Sequence, residues 1–428
     1  MASAGDKVKV TTKDKVYEGI FLPHEQSDNI LIKLENGYNI GIEKSKVKSI
    51  KVLEKNKSPK SPKPEKQKTD KKKPTITILH TGGTIASKVD YETGGVETRY
   101  EPEEIVQMFP ELKKVANIKS SLISNMFSEN MRFHHYGLMA KAIEKEIKAG
   151  ADGIILTHGT DTMHYTSSAL AFMLENLPIP VLIVGSQRSS DRGSSDAPFN
   201  LLAASRFIAT TNFKGVAICM HKSSNDDMCT ILPPCKSRKM HSSRRDAFKP
   251  INADPIADID ASGKITWIKK PSNPKGKLVV KTKMEEKVAL VKAHPNFSSE
   301  QLELYKKYKG LVIEGTGLGH IPATATNAKE HPNLKNLEAV RKLVAGGCIV
   351  VMTLQTLFGR VQMNVYAPGR ELLKAGIISG EDMLPETAFI KLAWLLGNHK
   401  KDEAAKLINQ NLRGEIADRT LYKEEFLD

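Results

Sequence analysis

The chain contains no apolar run approaching the ~18 residues that a membrane-spanning helix needs. Its start, MASAGDKVKV, has no apolar core of the kind that directs secretion. Cysteine is scarce. Cys219, Cys229, Cys235 and Cys348 are scattered without a C-x-x-C pair, which argues against a disulfide framework and against an all-cysteine zinc site. The twelve histidines nowhere form H-E-x-x-H. No G-x-x-x-x-G-K-[ST] loop is present, because Gly263-Lys264 and Gly276-Lys277 have Asp258 and Pro271 where the first glycine would stand. The dinucleotide fingerprint G-x-G-x-x-G is missing as well. These absences lead us to expect a soluble cytoplasmic protein with reduced thiols, no membrane association, no metal and no bound nucleotide.

What is present is enough for two or three domains: 428 residues, 40% of them hydrophobic. The net charge of +15 is unevenly spread. Residues 1–74 hold 18 lysines against 10 acids, so +8 of the excess falls on that short stretch. Such asymmetry suits contact with an anionic partner such as RNA, and equally a solvated tail.

Within a first domain of residues 1–52, residues 6–52 alternate with period two through KVKV, KVYEGIFL, NILIKL, YNIGI and VKSIKV, with a turn at Glu35–Gly37. Five short strands in that space predict a small SH3-like or Sm-like β-barrel. Residues 53–74 carry nine lysines and four prolines and bury too little to order themselves, so they read as a linker. From residue 75 apolar strands alternate with helices, predicting an α/β fold with parallel sheets. In one of these helices, Leu138, Met139, Ala142, Ile143 and Ile147 share a face. A first α/β domain spans 75–267, a charged crossing 268–285, and a second α/β domain 286–428.

Ligands in such folds sit at the C-terminal ends of strands. The stretch ILHTGGTIASK (78–88) occupies such an end and offers a hydroxyl, Thr84, between glycines that let another molecule approach the backbone. A threonine needs a base to act as a nucleophile. A second strand end, ILTHGTDTM, sets Thr160 beside Asp161, and CKSRKMHSS offers Lys239. A lysine between a hydroxyl and a carboxylate can relay a proton, whereas helix capping is the ordinary use of a Thr-Asp pair.

TGGTIAS (81–87) with THGTDTM (157–163) resembles the L-asparaginase/glutaminase family of threonine amidohydrolases. GSQRSSDRGSSDAPFNL (185–201), KGLVIEGTGLGHIP (309–322) and YAPGRELLKAGIISGEDMLPETAFIKLAWLLG (366–397) extend the likeness over roughly 75–428. The added barrel and linker resemble those of the archaeal glutamyl-tRNA(Gln) amidotransferase D subunits. The resemblance implies a catalytic set of Thr84, Thr160, Asp161 and Lys239. Thr84 is the nucleophile, and backbone N–H groups near Thr160 and Ala86 are oxyanion donors. It implies Ser128, Glu129 and Asp161 as contacts to the substrate's α-carboxylate and α-amine. Glutamine or asparagine would be the amide donor and a homodimer the assembly. A partner subunit of the E type would bind Glu-tRNA(Gln), with ATP and Mg acting there and no cofactor in this chain. A stand-alone asparaginase or glutaminase is the alternative. Two departures stand out. Neither Tyr91 nor Tyr100 falls clearly at the spacing of the family's loop tyrosine, and Leu318 sits near the position of an asparagine that the family lends to a neighbouring protomer.

Overall fold

The computed structural model describes the chain except residues 1, 4, 23–27, 36–37, 56–69, 84, 86, 90–95, 99–107, 191–192, 271, 326, 328–330 and 423–428. The first unit is an antiparallel sheet of β1 (Lys7–Thr12), β2 (Val16–Leu22), β3 (Asn29–Lys33), β4 (Asn39–Glu43) and β5 (Val47–Glu54), ordered β4-β3-β2-β1-β5. Period-two alternation turns Val8, Val10, Ile32 and Ile42 into one small core. Three of its lysines pair with neighbouring acids: Lys7–Glu35 at 3.2 Å, Lys9–Glu18 at 3.1 Å and Lys46–Glu43 at 2.7 Å. Residues 1–52 hold nine lysines against seven acids, leaving +2, so most of the N-terminal excess belongs to the segment that follows. Of the predicted turn Glu35–Gly37, residues 36 and 37 lie outside the described residues, as does most of the predicted linker.

The second sheet has eight strands. β6 (Thr75–Gly82), β7 (Asn117–Met126), β8 (Gly153–Thr157), β9 (Pro180–Val184) and β10 (Gly215–His221) run parallel, in the order β10-β9-β8-β6-β7. Helices α1 (Phe133–Lys148), α2 (Met163–Met173) and α3 (Ala197–Thr210) supply crossovers between them. Every residue of β8 and β9 is buried, as strands covered on both faces must be. Beyond β10 the sheet continues antiparallel through β11 (Met228–Leu232), β14 (Ala257–Asp260) and β15 (Ile265–Trp267), because β10 turns into β11 in six residues, too few for a crossover. Between β11 and β14 a hairpin, β12 (Ser237–Lys239) with β13 (Phe248–Pro250), lies apart from the large sheet. The buried stripe of α1 is Tyr136, Met139, Ala140 and Ile143. Leu138, expected inside, is 48% exposed, because the stripe is centred on Met139 and Ile143 and a neighbouring position points 100° away.

The third sheet is all parallel: β16 (Val288–Lys292), β17 (Gly310–Gly315), β18 (Ile349–Leu354) and β19 (Ile378–Ser379). Helices α4 (His331–Ala345), α5 (Ala367–Lys374) and α6 (Pro385–Asn398) accompany it. Helix α6 packs on β17 of this sheet and on α2 of the larger unit, with the Phe172 and Trp394 rings stacked at 5.6 Å. One continuous core therefore runs from Leu156 and Ile183 to Val312 and Leu392. In the crossing segment, Val279 and Val280 pair with Glu175 and Leu174. Among the described residues no helix is long and apolar enough to cross a membrane.

The linker's last residues are tied to the large sheet: Asp70 N–H donates to Asn117 Oδ1 at 2.9 Å, and Asn117 Nδ2 donates to the Asp70 carbonyl at 2.8 Å. Deleting residues 1–69 leaves these bonds intact. The truncated chain is expected to unfold in one cooperative step with a melting temperature within a few degrees of the parent, checked by circular dichroism. A molten truncation would mean that the barrel is part of the main core.

Candidate active site

Strand β6 ends in Thr81 and Gly82, and Gly83 follows. Thr81 Oγ1 donates to the Thr157 carbonyl at 2.8 Å, binding this end to that of β8, and Gly83 N–H donates to the Met126 carbonyl at 3.1 Å. Both glycines have positive φ, +98° and +80°. A Cβ on Gly82 would lie 2.5 Å from the Met126 backbone, and one on Gly83 would lie 2.4 Å from Gly159 N. No side chain fits in either place. The turn after β8 is equally close-packed: a Cβ on Gly159 would meet the Ser128 side chain at 2.8 Å, and one on Gly185 would meet Thr160 Cγ2 at 2.9 Å. The ends of β6, β8 and β9 and the Ser128 turn thus converge on one spot.

Thr160 and Asp161 both reach the lysine predicted with them. Lys239 Nζ donates to Thr160 Oγ1 and to Asp161 Oδ1, each at 2.8 Å. Thr160 is buried, the Lys239 side chain is 11% exposed and that of Asp161 66%. The hydrogen-bonded chain therefore runs from a sheltered hydroxyl to a carboxylate in water. Neither residue caps α2. Its N-cap is Thr162, which makes no side-chain cap bond and donates instead to the Ser128 carbonyl at 2.7 Å. Ser128 is buried beside this turn and Glu129 is exposed. Thr84, Ala86, Tyr91 and Tyr100 lie outside the described residues. Leu318 is half-buried in the turn after β17, its carbonyl accepting from Gln362 N–H at 2.9 Å.

Three buried histidines surround the turn. His80 Nδ1 lies 3.0 Å from Thr157 Oγ1, and burial lowers its pKa to about 4. His158 contacts the Gly159 carbonyl at 2.6 Å and Thr166 Oγ1 at 2.8 Å, and burial lowers it to about 4. His164 is lowered to about 3 by burial first, then by the charges of Arg238 and Lys239. All three are neutral at pH 7.

Sequence reasoning assigned no role to the loop after β9, which is bonded to the turn after β6. Ser190 Oγ donates to the Ile85 carbonyl at 2.6 Å. The buried Asp196 carboxylate accepts from the N–H groups of Gln187 at 3.0 Å and Arg188 at 3.1 Å. The visible signal was a Ser/Asp-rich turn followed by a proline at the start of a helix. Among the described residues no group of three His, Cys, Asp or Glu is placed to hold a metal ion.

Comparison with known proteins bears on this arrangement. Residues 75–273 match the model described as Asparaginase, N-terminal; residues 287–408 match the Glutaminase/Asparaginase C-terminal domain; residues 2–53 match the GatD N-terminal domain. The glutamyl-tRNA(Gln) amidotransferase D subunit of Methanococcus maripaludis is 45% identical over 96% of this chain and 97% of its own length. The Pyrococcus furiosus protein of the same name is 47% identical over 96% and 94%. The chain belongs to the D-subunit family of glutamyl-tRNA(Gln) amidotransferases. Among solved structures, the thermostable L-asparaginase from Thermococcus kodakarensis superposes with a TM-score of 0.72 at 32% identity, covering 81% of this chain and all of that one. L-asparaginase I from Vibrio cholerae gives 0.69 at 28% identity, covering 81% and 99%. The α/β part of this D-subunit family member is thus asparaginase-like, and the small front sheet matches a domain named for the family.

The lowered histidines carry a stability consequence. In the unfolded chain they bind protons near the ordinary value of about 6.5; in the folded chain His80 and His158 do so only near 4. Between these values the unfolded state holds more protons, so stability falls as pH drops through that window, by at most roughly 3 kcal/mol per ring. We expect the urea midpoint to fall between pH 6.5 and 5, above most carboxylate titration. His80→Gln should flatten this slope; an unchanged slope would mean that the ring is solvated.

Proposed function

We propose that this chain is the amide-hydrolysing subunit of a tRNA-dependent amidotransferase. It releases ammonia from glutamine for the conversion of Glu-tRNA(Gln) to Gln-tRNA(Gln) on a partner subunit. The observation that carries the reading is Lys239 held between Thr160 and Asp161, at the turn against which Gly83 packs. The residue that follows Gly83 in the sequence is Thr84, the hydroxyl assigned here as nucleophile.

In the proposed reaction the Thr84 oxygen attacks the side-chain amide carbon and its proton leaves with the nitrogen as ammonia, giving an ester acyl-enzyme. Water attacks the ester, passing its proton toward Thr160, and glutamate departs as Thr84 regains its hydrogen. Thr160 and Lys239 carry protons between the reacting oxygen and Asp161, whose exposure links the chain to solvent. General acid–base help of this kind is worth about 10²–10⁴ in rate. Backbone N–H groups near Thr160 and Ala86 would receive the oxyanion, each worth roughly 3–4 kcal/mol. Exposed Glu129 and Asp161 suit a substrate ammonium, and the Ser128 hydroxyl suits its carboxylate. The catalytic unit is read as a homodimer.

Carboxylate activation is a separate chemistry. Ammonia does not displace the oxygen of a free carboxylate, so the acceptor must first be phosphorylated by ATP. With no nucleotide-loop motif in the sequence, that step, its Mg and the tRNA acceptor end are assigned to an E-type partner. Supporting the assignment is the name of the relatives that match nearly the whole chain.

Thr84→Val is expected to abolish ammonia release from glutamine in a folded protein. Thr160→Val and Lys239→Ala should each slow it about 10²–10⁴-fold, and their double variant no further, as members of one relay. Given Glu-tRNA(Gln), Mg-ATP and glutamine, the single chain should make glutamate and ammonia but no Gln-tRNA until its partner is added. Amidated tRNA from the pure chain would refute this division of labour.

A further inference from the structure

The short hairpin strand β12 carries Lys239, and its approach is fastened to the second α/β unit residue by residue. The Cys235 carbonyl accepts from Thr387 Oγ1 at 2.9 Å. Lys236 Nζ pairs with Asp382 Oδ2 at 2.7 Å and donates to the Asp382 carbonyl at 2.8 Å. Arg238 pairs with Glu386 Oε1 at 2.7 Å. Strand alternation explains the pattern: 236 and 238 point one way, and 239 points the other, toward Thr160 and Asp161. Every tether comes from one short segment, 382–387, which runs into the first turn of α6. The two pairs differ in burial. Lys236 and Asp382 are both almost wholly buried, whereas Arg238 remains 30% exposed. Glu386 is in the first helical turn, where a carboxylate serves the helix dipole, yet one of its oxygens is spent on Arg238 and the other is buried with no hydrogen-bond partner. An acid placed there for helix stability alone would face water.

We infer that Glu386 is a positioning residue for the proton relay: through Arg238 it fixes how far Lys239 reaches toward Thr160. The 382–387 segment makes the second α/β unit part of the catalytic unit within one chain. A misplacement of about 1 Å at a relay atom costs roughly 10²-fold in rate, so a tether one residue from Lys239 has leverage without touching substrate.

The inference rests on Lys239 acting as the relay, and the experiment separates the two. Glutamine hydrolysis is measured on the full chain with its partner subunit and tRNA. Glu386→Gln keeps the shape and removes the charge; it should lower kcat about 10–100-fold with KM within about threefold. Arg238→Gln should do the same, and the double variant no more. The swap Arg238→Glu with Glu386→Arg should recover at least tenfold over either single change. Calorimetric binding of glutamate counts competent chains. If the rate per competent chain is unchanged in Glu386→Gln, or the two single effects multiply, the tether is only structural and the inference is overturned. Lys239→Ala is the reference: a crippled Lys239→Ala beside an unimpaired Glu386→Gln removes the positioning role alone, whereas a fully active Lys239→Ala removes the relay and this inference with it.

Discussion

Two backbones meet where no side chain can stand. Gly83 lies so close to Gly159 that a single methyl group would fall 2.4 Å from a peptide nitrogen. That contact joins the ends of β6 and β8, and the rest of the site follows from it. Gly83 itself packs on the turn that leads into Thr160 and Asp161. Gly159 in turn lies against Ser128, and Gly185 against Thr160. Parallel strands make this economical, since their adjacent C-terminal ends bring separate loops to one place without long excursions. Glycine's freedom at φ +98° and +80° lets β6 turn out of the sheet immediately.

Electrostatics then hold the site from behind. Lys236–Asp382 and Lys391–Glu415 are ion pairs cut off from water, each at 2.7 Å. Burial lowers both lysine pKa values, while the carboxylates oppose the shift. Such pairs give little net stability, but removing one partner strands a charge at a cost of about 3–5 kcal/mol. Their value here is register. Asp382 also accepts from Ala417 N–H at 3.0 Å, so the chain's last described segment, the start of α6 and the strand leading to Lys239 are locked to one another. The continuous core from α2 to α6 supplies the bulk energy, and the ion pairs select one arrangement of it.

Much of this was legible in the sequence, and for identifiable reasons. Period-two alternation exposed the five barrel strands, and the apolar runs around Ile154 and Val181 exposed the buried parallel strands. TGGT and HGTDT marked strand ends because glycine and hydroxyl residues cluster there for geometric reasons. Lys239 was singled out from the sequence with Thr160 and Asp161, and in the fold it hydrogen-bonds to both. What escaped was long-range. Nothing local distinguishes Lys236 or Arg238 from surface lysines and arginines, since their partners lie about 150 residues away. Ser190 was one serine among several, and its bond to the Ile85 carbonyl exists only after folding. Leu138 was misplaced because a helical stripe read from a sequence can rotate by one position while keeping its period. The antiparallel extension after β10 was hidden for a similar reason: a buried strand looks the same whichever way it runs.

The central claim is that the two glycine-packed turns form a threonine amidohydrolase site, with the hydroxyl after Gly83 as nucleophile. The most direct measurement is covalent. The diazoketone analogue of glutamine, 6-diazo-5-oxo-L-norleucine, alkylates whichever side chain attacks the amide carbon, and peptide mass spectrometry locates the adduct. The account predicts one adduct per chain, on Thr84, formed slowly when Lys239 is replaced by alanine and blocked by excess glutamine. An adduct on Thr160, on a cysteine or on no residue of the 78–88 stretch, with glutamine hydrolysis blocked in step, would contradict it.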